Sequence, residues 1–149
     1  MRWRVRSGGA VRPGSVLRGQ GPAVAVVSLG GVLGALARYG AALRWPTAAD
    51  AFPWTTLAVN AVGCAVIGVF LVAVTEVWSP HPLLRPFFGT GVLGGFTTFS
   101  TATVDVQRLI DHGAPARGLF YLAATLLAAL VSVRVAAGTT RRLVGRRVV

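Results

Sequence analysis

A run of hydroxyl and aromatic side chains inside an uncharged apolar stretch is the part of this sequence best suited to chemistry. Between Pro86 and Val104 the chain carries no charge, and Gly94 and Gly95 are followed within eight residues by five hydroxyl side chains and two phenylalanines. Paired glycines weaken a helix by about 1 kcal/mol each relative to alanine, and serine and threonine offer backbone groups another partner. A helix that breaks in hydrocarbon must have its backbone groups satisfied by protein, water or an ion. We therefore predict that an ion site lies here.

Further polar side chains interrupt the other apolar stretches, where an unpaired polar group is costly. Asn60 and Thr56 lie in the second stretch, and Tyr121 and Thr125 lie one helical turn apart in the fourth. Asn60 either forms a hydrogen bond between helices or lines a polar path. Amide and hydroxyl donors without a fixed positive charge suit a small, strongly hydrated anion, because they replace its water molecules in turn. Phe99 either packs in a core or presents its partly positive ring edge to such an anion.

The other reactive residue types form no catalytic or metal-binding pattern. His81 and His112 fall in predicted loops, and we interpret both as solvated residues. Each of the four acidic residues lies at or near the end of an apolar stretch, so no intramembrane carboxylate is expected. The single cysteine, Cys64, excludes an internal disulfide and a cysteine cluster, and we interpret it as a small buried packing residue. The chain is therefore not predicted to be an enzyme.

Four apolar segments position these residues, and a helix needs about 20 mainly apolar residues to cross a membrane. We predict an all-α membrane protein with four transmembrane helices, at about residues 23–43, 54–77, 83–110 and 119–137. The third helix should be broken at the glycine pair. The fourth is the weakest, because only Gly118 to Val133 is free of charge and Arg134 must extend toward the surface.

The ends of the chain and its first segment have features of their own. The chain divides into a basic, disordered N-terminal tail, a four-helix transmembrane domain and a basic C-terminal tail, at residues 1–20, 21–138 and 139–149. The first segment also resembles a cleaved signal peptide, since it has a basic start and the sequence Ala35-Leu36-Ala37. The spacing of Gly30 and Gly34 suits close helix packing, although it also arises by chance in a glycine-rich chain.

Composition places the chain in a membrane. More than half of the residues are apolar, and the mean hydropathy of +0.65 is too high for a soluble domain of this size. The net charge of +11 comes from fifteen basic residues, all arginine, against four acidic ones. The arginines cluster at the ends of apolar segments, as in membrane proteins, and no basic stripe alternates with aromatic residues. No nucleic acid is therefore expected as a partner.

The arginines between the predicted spans or close to their ends also predict the orientation. Ten lie on the side of both termini and three on the other side. The ten are Arg2, Arg4, Arg6, Arg12, Arg18, Arg85, Arg141, Arg142, Arg146 and Arg147, and the three are Arg44, Arg108 and Arg117. Because cytoplasmic loops carry the excess of basic residues, both termini should be cytoplasmic in a multi-pass protein of the cell membrane. We expect the basic tails to attract anionic membrane lipid.

Three motifs resemble those of the Fluc (CrcB) fluoride channels in order, spacing and place in the four-segment layout. They are Gly30-Gly31-x-x-Gly34-Ala35-x-x-Arg38-Tyr39, Thr56-Leu57-x-x-Asn60-x-x-Gly63 and Gly94-Gly95-Phe96-Thr97-Thr98-Phe99-Ser100-Thr101. The resemblance covers about residues 23–138, and the third motif is the most specific of the three.

This resemblance implies a dimer of two oppositely inserted four-helix subunits, each with a broken third helix. A sodium ion at the dimer centre would be held by the backbone carbonyls of Gly94 and Thr97. The fluoride path would be lined by Asn60, Thr56, Phe99, Tyr121, Thr125, Thr98 and Ser100. Arg38 ends the first motif and would have a structural or vestibule role. The implied function is passive export of cytoplasmic fluoride, which confers fluoride resistance.

Two positions depart from the family pattern. Ala102 replaces a second phenylalanine, and Ala129 replaces the hydroxyl residue at the third position of the ladder that begins at Tyr121. Either change would impair one of the two paths of a dimer. The unequal loop charges also conflict with a homodimer whose identical chains insert both ways. We therefore hypothesise a heterodimer with a related subunit of opposite orientation, and a homodimer remains the alternative.

Two other functions compete with a conducting subunit. One is a non-conducting assembly subunit that only completes the pore of a partner, which the missing phenylalanine favours. The other is a small proton-coupled multidrug antiporter, since these proteins are also antiparallel dimers of four-helix subunits. They rely on a glutamate embedded in the first helix, and the first segment here contains none.

Overall fold

Every regular element that the structure describes is a helix, which confirms the predicted all-α class. The structure is a computed structural model that describes residues 20–48 and 50–145. Its helices are α1 (Gly21–Arg44), α2 (Trp54–Val72, continued by a π-helical turn at Ala73–Val77), α3 (π-helical Pro86–Leu93 followed by the α-helical turn Gly94–Phe96), α4 (Ser100–Asp111) and α5 (Pro115–Gly145). Nearly all of the predicted N-terminal tail and the last four residues of the C-terminal tail lie outside the described residues.

Three stretches of helix among the described residues are long and apolar enough to cross a membrane. They are Gly21–Arg44, Trp54–Val77 and Pro115–Gly145, as expected for a multi-pass membrane protein. The third predicted span, residues 83–110, is divided between α3 and α4. Helix α4 has only 12 residues, equivalent to about 18 Å, and it carries charged side chains. It is therefore too short and too polar to cross a membrane by itself.

Helix α5 is longer than the predicted fourth span. Its 31 residues correspond to about 46 Å of helix, whereas the hydrocarbon core of a bilayer is about 30 Å thick. The helix therefore continues into the region predicted as a C-terminal tail. An ion pair holds this extension, because the guanidinium of Arg141 lies 2.6 Å from the carboxylate of Glu76 at the end of α2.

Small residues allow α1 to lie directly against α3. Gly30 and Gly34 are buried on α1, and Gly91 and Gly95 face them from α3. A Cβ atom added to Gly34 would collide with the backbone of α3 and come within 2.7 Å of the amide nitrogen of Phe96. The interpretation of the Gly30 and Gly34 spacing as a packing surface is thus confirmed.

A tight turn folds α4 back against α5. Gly113 has a φ of 75°, a conformation that glycine adopts more readily than other residues. The two helices then share a small buried cluster of Ala102, Leu109 and Tyr121, with Phe52 packed against it. The rings of Phe52 and Tyr121 meet edge to face at a centroid distance of 5.4 Å. This cluster sets the position of α4 relative to α2 and α5.

Replacing Gly34 by alanine tests the close contact between α1 and α3. The added Cβ meets backbone atoms, which cannot rotate away, so we expect the free energy of unfolding to fall by about 1–3 kcal/mol. Unfolding in detergent micelles measures the loss. Gly40→Ala is the matched control, because nothing lies within 4 Å of its Cβ and alanine should favour the helix by about 1 kcal/mol. Equal stability of the two variants would contradict the described packing.

Candidate ion-binding site

The helical hydrogen bonding of the third predicted span is interrupted between Phe96 and Ser100. Helix α3 ends at Phe96, and Thr97 takes an extended conformation with φ −76° and ψ 153°. The amide and the hydroxyl of Thr97 both donate to the carbonyl of Leu93, at 3.0 and 2.9 Å. Helix α4 begins at Ser100. Thr97, Thr98 and Phe99 therefore connect two separate helices.

The side chain of Asn60 pairs with both backbone groups of Thr98 inside this connection. Its Nδ2 donates to the carbonyl of Thr98 at 2.8 Å, and its Oδ1 accepts from the amide of Thr98 at 2.8 Å. Asn60 is only 6% exposed, so leaving either side of this pair unmade would be costly. The carboxamide of Asn60 replaces the helical partners that Thr98 lacks.

At the interruption, two amides donate hydrogen bonds to side chains and not to the carbonyl groups with which they would pair in a continuous helix. In a continuous helix, the amide of Thr98 would donate to the carbonyl of Gly94, and the amide of Thr101 to the carbonyl of Thr97. Instead, the amide of Thr98 donates to Asn60, and the amide of Thr101 donates to the hydroxyl of Thr98 at 3.1 Å. The carbonyls of Gly94 and Thr97 thus lose their helical donors.

Hydroxyl groups hold the first turn of α4. The hydroxyl of Thr98 donates to the Oγ1 of Thr101 at 3.0 Å and lies 3.4 Å from the Oγ of Ser100. Together with the bond from the amide of Thr101, these contacts join Thr98 to the first turn of the helix. Three of the five hydroxyl groups in the central motif are therefore joined in one network.

Arg38 connects the two sides of the interruption. Its Nε donates to the carbonyl of Gly95 at 3.2 Å, and its NH1 donates to the Oγ1 of Thr101 at 3.4 Å. Arg38 also lines a small cavity of about 80 Å3 together with Thr56 and Thr98. Its guanidinium is therefore positioned both to hold α3 against α4 and to place a positive charge beside this cavity.

A wider groove of about 380 Å3 brings most of the predicted ion ligands together. Its lining consists of Asn60, Cys64, Gly94, Thr97, Thr98, Phe99, Thr125, Leu126 and Ala129. Phe99 is 66% exposed and so does not pack in the subunit core, which is the alternative that the sequence left open. The hydroxyl of Thr125 is buried without a hydrogen-bond partner among the described residues. The wall is thus apolar, with a few convergent neutral polar groups.

Thr56 and Tyr121 contact a second, separate polar group. The hydroxyl of Thr56 donates to the Oδ2 of Asp105 at 2.7 Å, and the hydroxyl of Tyr121 lies 3.4 Å from the same atom. The other carboxylate oxygen lies 3.4 Å from the guanidinium of Arg108. Asp105 is only 4% exposed. These two hydroxyl groups therefore face a buried carboxylate and not the groove.

Comparison with known proteins identifies the family. The sequence profile of the family described as CrcB-like protein, Camphor Resistance (CrcB), matches residues 25–139. The chain belongs to the CrcB family. It is 66% identical over 112 residues to a protein of Streptomyces avermitilis named fluoride-specific ion channel FluC 2, which covers 75% of this chain and 71% of that protein.

Other CrcB relatives extend this similarity. A protein of Streptomyces coelicolor named fluoride-specific ion channel FluC 1 is 65% identical over 125 residues, with 84% of this chain and 81% of that protein covered. A second Streptomyces avermitilis protein, named fluoride-specific ion channel FluC 3, is 44% identical over 125 residues, with 84% and 61% covered.

The sequence places Asp105 near the end of the third apolar segment, but it does not show that the fold buries this carboxylate. In this CrcB protein Asp105 lies in the middle of α4 and is buried. The sequence does carry a signal for this burial, because Asp105 falls on the same helical face as Ala102 and Leu109, both of which are buried. That the stretch from Pro86 to Val104 is uncharged does not reveal which residues share this buried helical face. Ala102 itself is fully buried beside Tyr121 and lies away from the groove.

Conservative variants of the two hydroxyl residues test the Asp105 network. Thr56→Val removes a 2.7 Å hydrogen bond to a carboxylate, so we expect a loss of about 1.5–3 kcal/mol in the free energy of unfolding. Tyr121→Phe removes only a 3.4 Å contact and should cost less than about 1 kcal/mol. Chemical unfolding in micelles measures both, with Thr140→Val as control because that hydroxyl bonds only within its own helix. Equal losses for Thr56→Val and Tyr121→Phe would show that the network is arranged differently.

Proposed function

We propose that this CrcB protein is a subunit of a fluoride channel that lets cytoplasmic fluoride leave the cell passively. The observation that carries the proposal is the groove beside the interrupted helix, where Asn60 holds Thr98 and neutral polar groups converge. Its relatives are named fluoride-specific ion channels, which supports the choice of ion. The expected result is resistance of the cell to fluoride.

Neutral donors suit the passage of fluoride better than fixed positive charges. Asn60 keeps one amide hydrogen beyond its pair with Thr98, and Phe99 offers the partly positive edge of its ring along the groove. Such groups replace the water around a small anion without binding it so tightly that it stays. Hydrogen fluoride enters cells as a neutral acid and ionises there. A potential of 100 mV, negative inside, favours the exit of one anion by about 2.3 kcal/mol.

A structural sodium ion at the dimer centre fits the carbonyl groups of Gly94 and Thr97. The amides of Thr98 and Thr101, which would cover these carbonyls in a helix, donate to side chains instead. A carbonyl oxygen inside a membrane that has lost its amide donor needs another partner, such as a cation. Backbone carbonyls are hard oxygen ligands that suit a cation such as sodium. Two subunits related by a two-fold axis would together supply four of them.

Exposure of Phe99 and the charge asymmetry support a dimer of oppositely inserted subunits. Phe99 presents 66% of its surface outside the single chain, although it sits near the middle of the third predicted span. A partner subunit would cover it and complete the groove.

Because ten arginines lie on one predicted side and three on the other, one chain cannot readily insert both ways. Two different FluC proteins in Streptomyces avermitilis agree with pairing between related chains, so we favour a heterodimer with both termini of this chain cytoplasmic.

An assembly subunit that does not conduct is the second candidate. Ala129 lines the groove where the family pattern has a hydroxyl residue, and Ala102 is buried in the subunit core. Both changes reduce the polar and aromatic lining that this subunit contributes. A proton-coupled antiporter is not favoured, because α1 contains no glutamate and the relatives carry the name of ion channels.

Fluoride efflux from liposomes tests the function and the two candidates. The chain is reconstituted alone and together with a related subunit, and a fluoride electrode records release. We expect efflux from the pair, and a fall of at least about tenfold in Phe99→Ala and Asn60→Ala, since each variant removes one contact with the passing ion and tenfold corresponds to only about 1.4 kcal/mol. Phe88→Ala is the matched control, because this phenylalanine lies in the same span but does not line the groove.

Each outcome of this assay separates one proposal from another. Unchanged efflux from the pair carrying Phe99→Ala and Asn60→Ala would identify an assembly subunit. Efflux from the chain alone, with an antiparallel dimer shown by cross-linking, would refute the heterodimer. Efflux of chloride at the rate of fluoride, or no efflux in any combination, would refute the fluoride channel.

Thermal unfolding in defined salts tests the sodium ion. We expect the conducting dimer to be more stable in sodium chloride than in N-methylglucamine chloride, by about 2.7 kcal/mol when sodium is a hundredfold above its dissociation constant. Asn60→Ala serves as the comparison, because the amide of Thr98 is then available to the carbonyl of Gly94 and the sodium dependence should disappear. Identical unfolding of the unmodified dimer in the two salts would rule out the ion.

A further inference from the structure

A second groove, apolar and separate from the one beside the interrupted helix, lies between α1 and α2. Its volume is about 500 Å3, and its lining includes Ala41, Trp45, Trp54, Ala58, Val62 and Phe96. We propose that this tryptophan groove binds one acyl chain of an anionic phospholipid whose phosphate pairs with Arg44. The inference needs only the membrane setting of the chain and not the passage of fluoride. It also differs from the expected attraction of lipid to the basic tails, because the groove opens at the opposite ends of the helices.

The tryptophan groove has the depth of one leaflet of a bilayer. Trp54 is the first residue of α2, and Val62 follows eight residues later, which is about 12 Å along the helix axis. The ring of Phe96 lies against Gly63, the next residue of α2, so it marks the same depth. The hydrocarbon core of a bilayer is about 30 Å thick, so one leaflet contributes about 15 Å. A cleft of this depth fits an acyl chain that enters from the membrane surface at which α1 ends.

The wall of the tryptophan groove is suited to an apolar occupant. Thr55 also lines it, but the hydroxyl of Thr55 donates to the carbonyl of Trp45 at 2.6 Å. This hydrogen bond joins the end of α1 to the start of α2. Trp45 and Trp54 are 61% and 68% exposed, so their rings are open to an occupant. An ion or a polar molecule would gain little hydrogen bonding from this wall, whereas an acyl chain would pack along it.

A positive charge lies at the mouth of the tryptophan groove. The guanidinium of Arg44 lies over the ring of Trp45, with its central carbon 5.7 Å from the ring centroid. Arg44 is exposed, and within residues 20–48 and 50–145 the arginines paired with carboxylates are Arg108 and Arg141. Arginine binds phosphate through two parallel hydrogen bonds, and tryptophan is enriched at the level of lipid headgroups. The mouth therefore suits an anionic headgroup, whereas Arg44 would repel the cationic group of a zwitterionic one.

Charge also favours a lipid over a second copy of this chain. In a copy inserted the opposite way, the end that carries ten arginines would lie at the same membrane surface as Arg44. Like charges would then meet at the mouth of the groove, which disfavours that contact. A partner subunit in the groove is an outcome that the experiment separates from a bound lipid.

Quenching of tryptophan fluorescence by brominated lipids tests the site in the reconstituted protein. Trp3 and Trp78 are replaced by phenylalanine, and any partner subunit is made free of tryptophan, so that Trp45 and Trp54 report. Phosphatidylcholine liposomes contain an equal fraction of either brominated phosphatidylglycerol or brominated phosphatidylcholine. We expect a preference of about fivefold for phosphatidylglycerol, which corresponds to about 1 kcal/mol for one arginine at an anionic lipid surface.

Two pairs of variants separate the charge from the groove. Arg44→Gln should remove the preference, whereas Arg117→Gln should keep it. Arg117 is the matched control because it is exposed, is predicted on the same membrane side and donates to the carbonyl of Asp50. Ala58→Phe places a ring in the groove at an exposed position and should reduce the preference below about twofold. Val66→Phe adds the same ring about two turns further along α2, outside the groove, and should keep the preference.

Four results would overturn the proposal. Equal quenching by the two brominated lipids in the reporter protein would show that only bulk lipid contacts the tryptophans. A preference that survives Arg44→Gln would place the lipid elsewhere, and one that survives Ala58→Phe would show attraction by charge without a bound acyl chain. Absence of quenching by either lipid would show that a partner subunit fills the groove. Fluoride efflux is measured on the same liposomes, so loss of the lipid preference is distinguished from loss of the channel function.

Discussion

The two hydrogen bonds between Asn60 and Thr98 are the interaction on which the rest of the site depends. A carboxamide has the same donor and acceptor as a peptide group, so one buried side chain replaces both helical partners of Thr98. Because Asn60 takes the amide of Thr98, the carbonyl of Gly94 loses its helical donor. The interruption of the helix and the carbonyl groups without helical donors therefore have one common cause, and the groove lies beside them.

The contacts around this interaction hold α3 and α4 in place from two sides. On one side, the glycine surfaces bring the backbone of α1 against α3, so Arg38 reaches the carbonyl of Gly95 and the hydroxyl of Thr101. On the other side, the cluster around Tyr121 holds α4 against α5. On both sides the supporting helix is long and apolar, so the short, partly charged α4 is held in place by its neighbours and not by its own length.

The structure divides the polar residues of the predicted ion path into two groups, one at the groove and one around Asp105. Asn60, Thr98, Phe99 and Thr125 line one groove, whereas the hydroxyls of Thr56 and Tyr121 turn toward a buried carboxylate. Buried charges persist in proteins when they are paired and hydrogen-bonded, and here Arg108 and two hydroxyl groups supply those partners. Residues of the same polar type, on the same helices, therefore have different neighbours.

The sequence by itself determined the helical class, the membrane setting, the apolar segments and the motif around Gly94, because these follow from local composition and short-range spacing. It also indicated that Asn60 would need a partner, since an unpaired amide in hydrocarbon is costly. Only the tertiary structure decided that this partner is Thr98, that Asp105 is buried and that Cys64 faces the groove. Each of these depends on how far and at what angle two helices distant in sequence approach each other, and no local pattern encodes that approach.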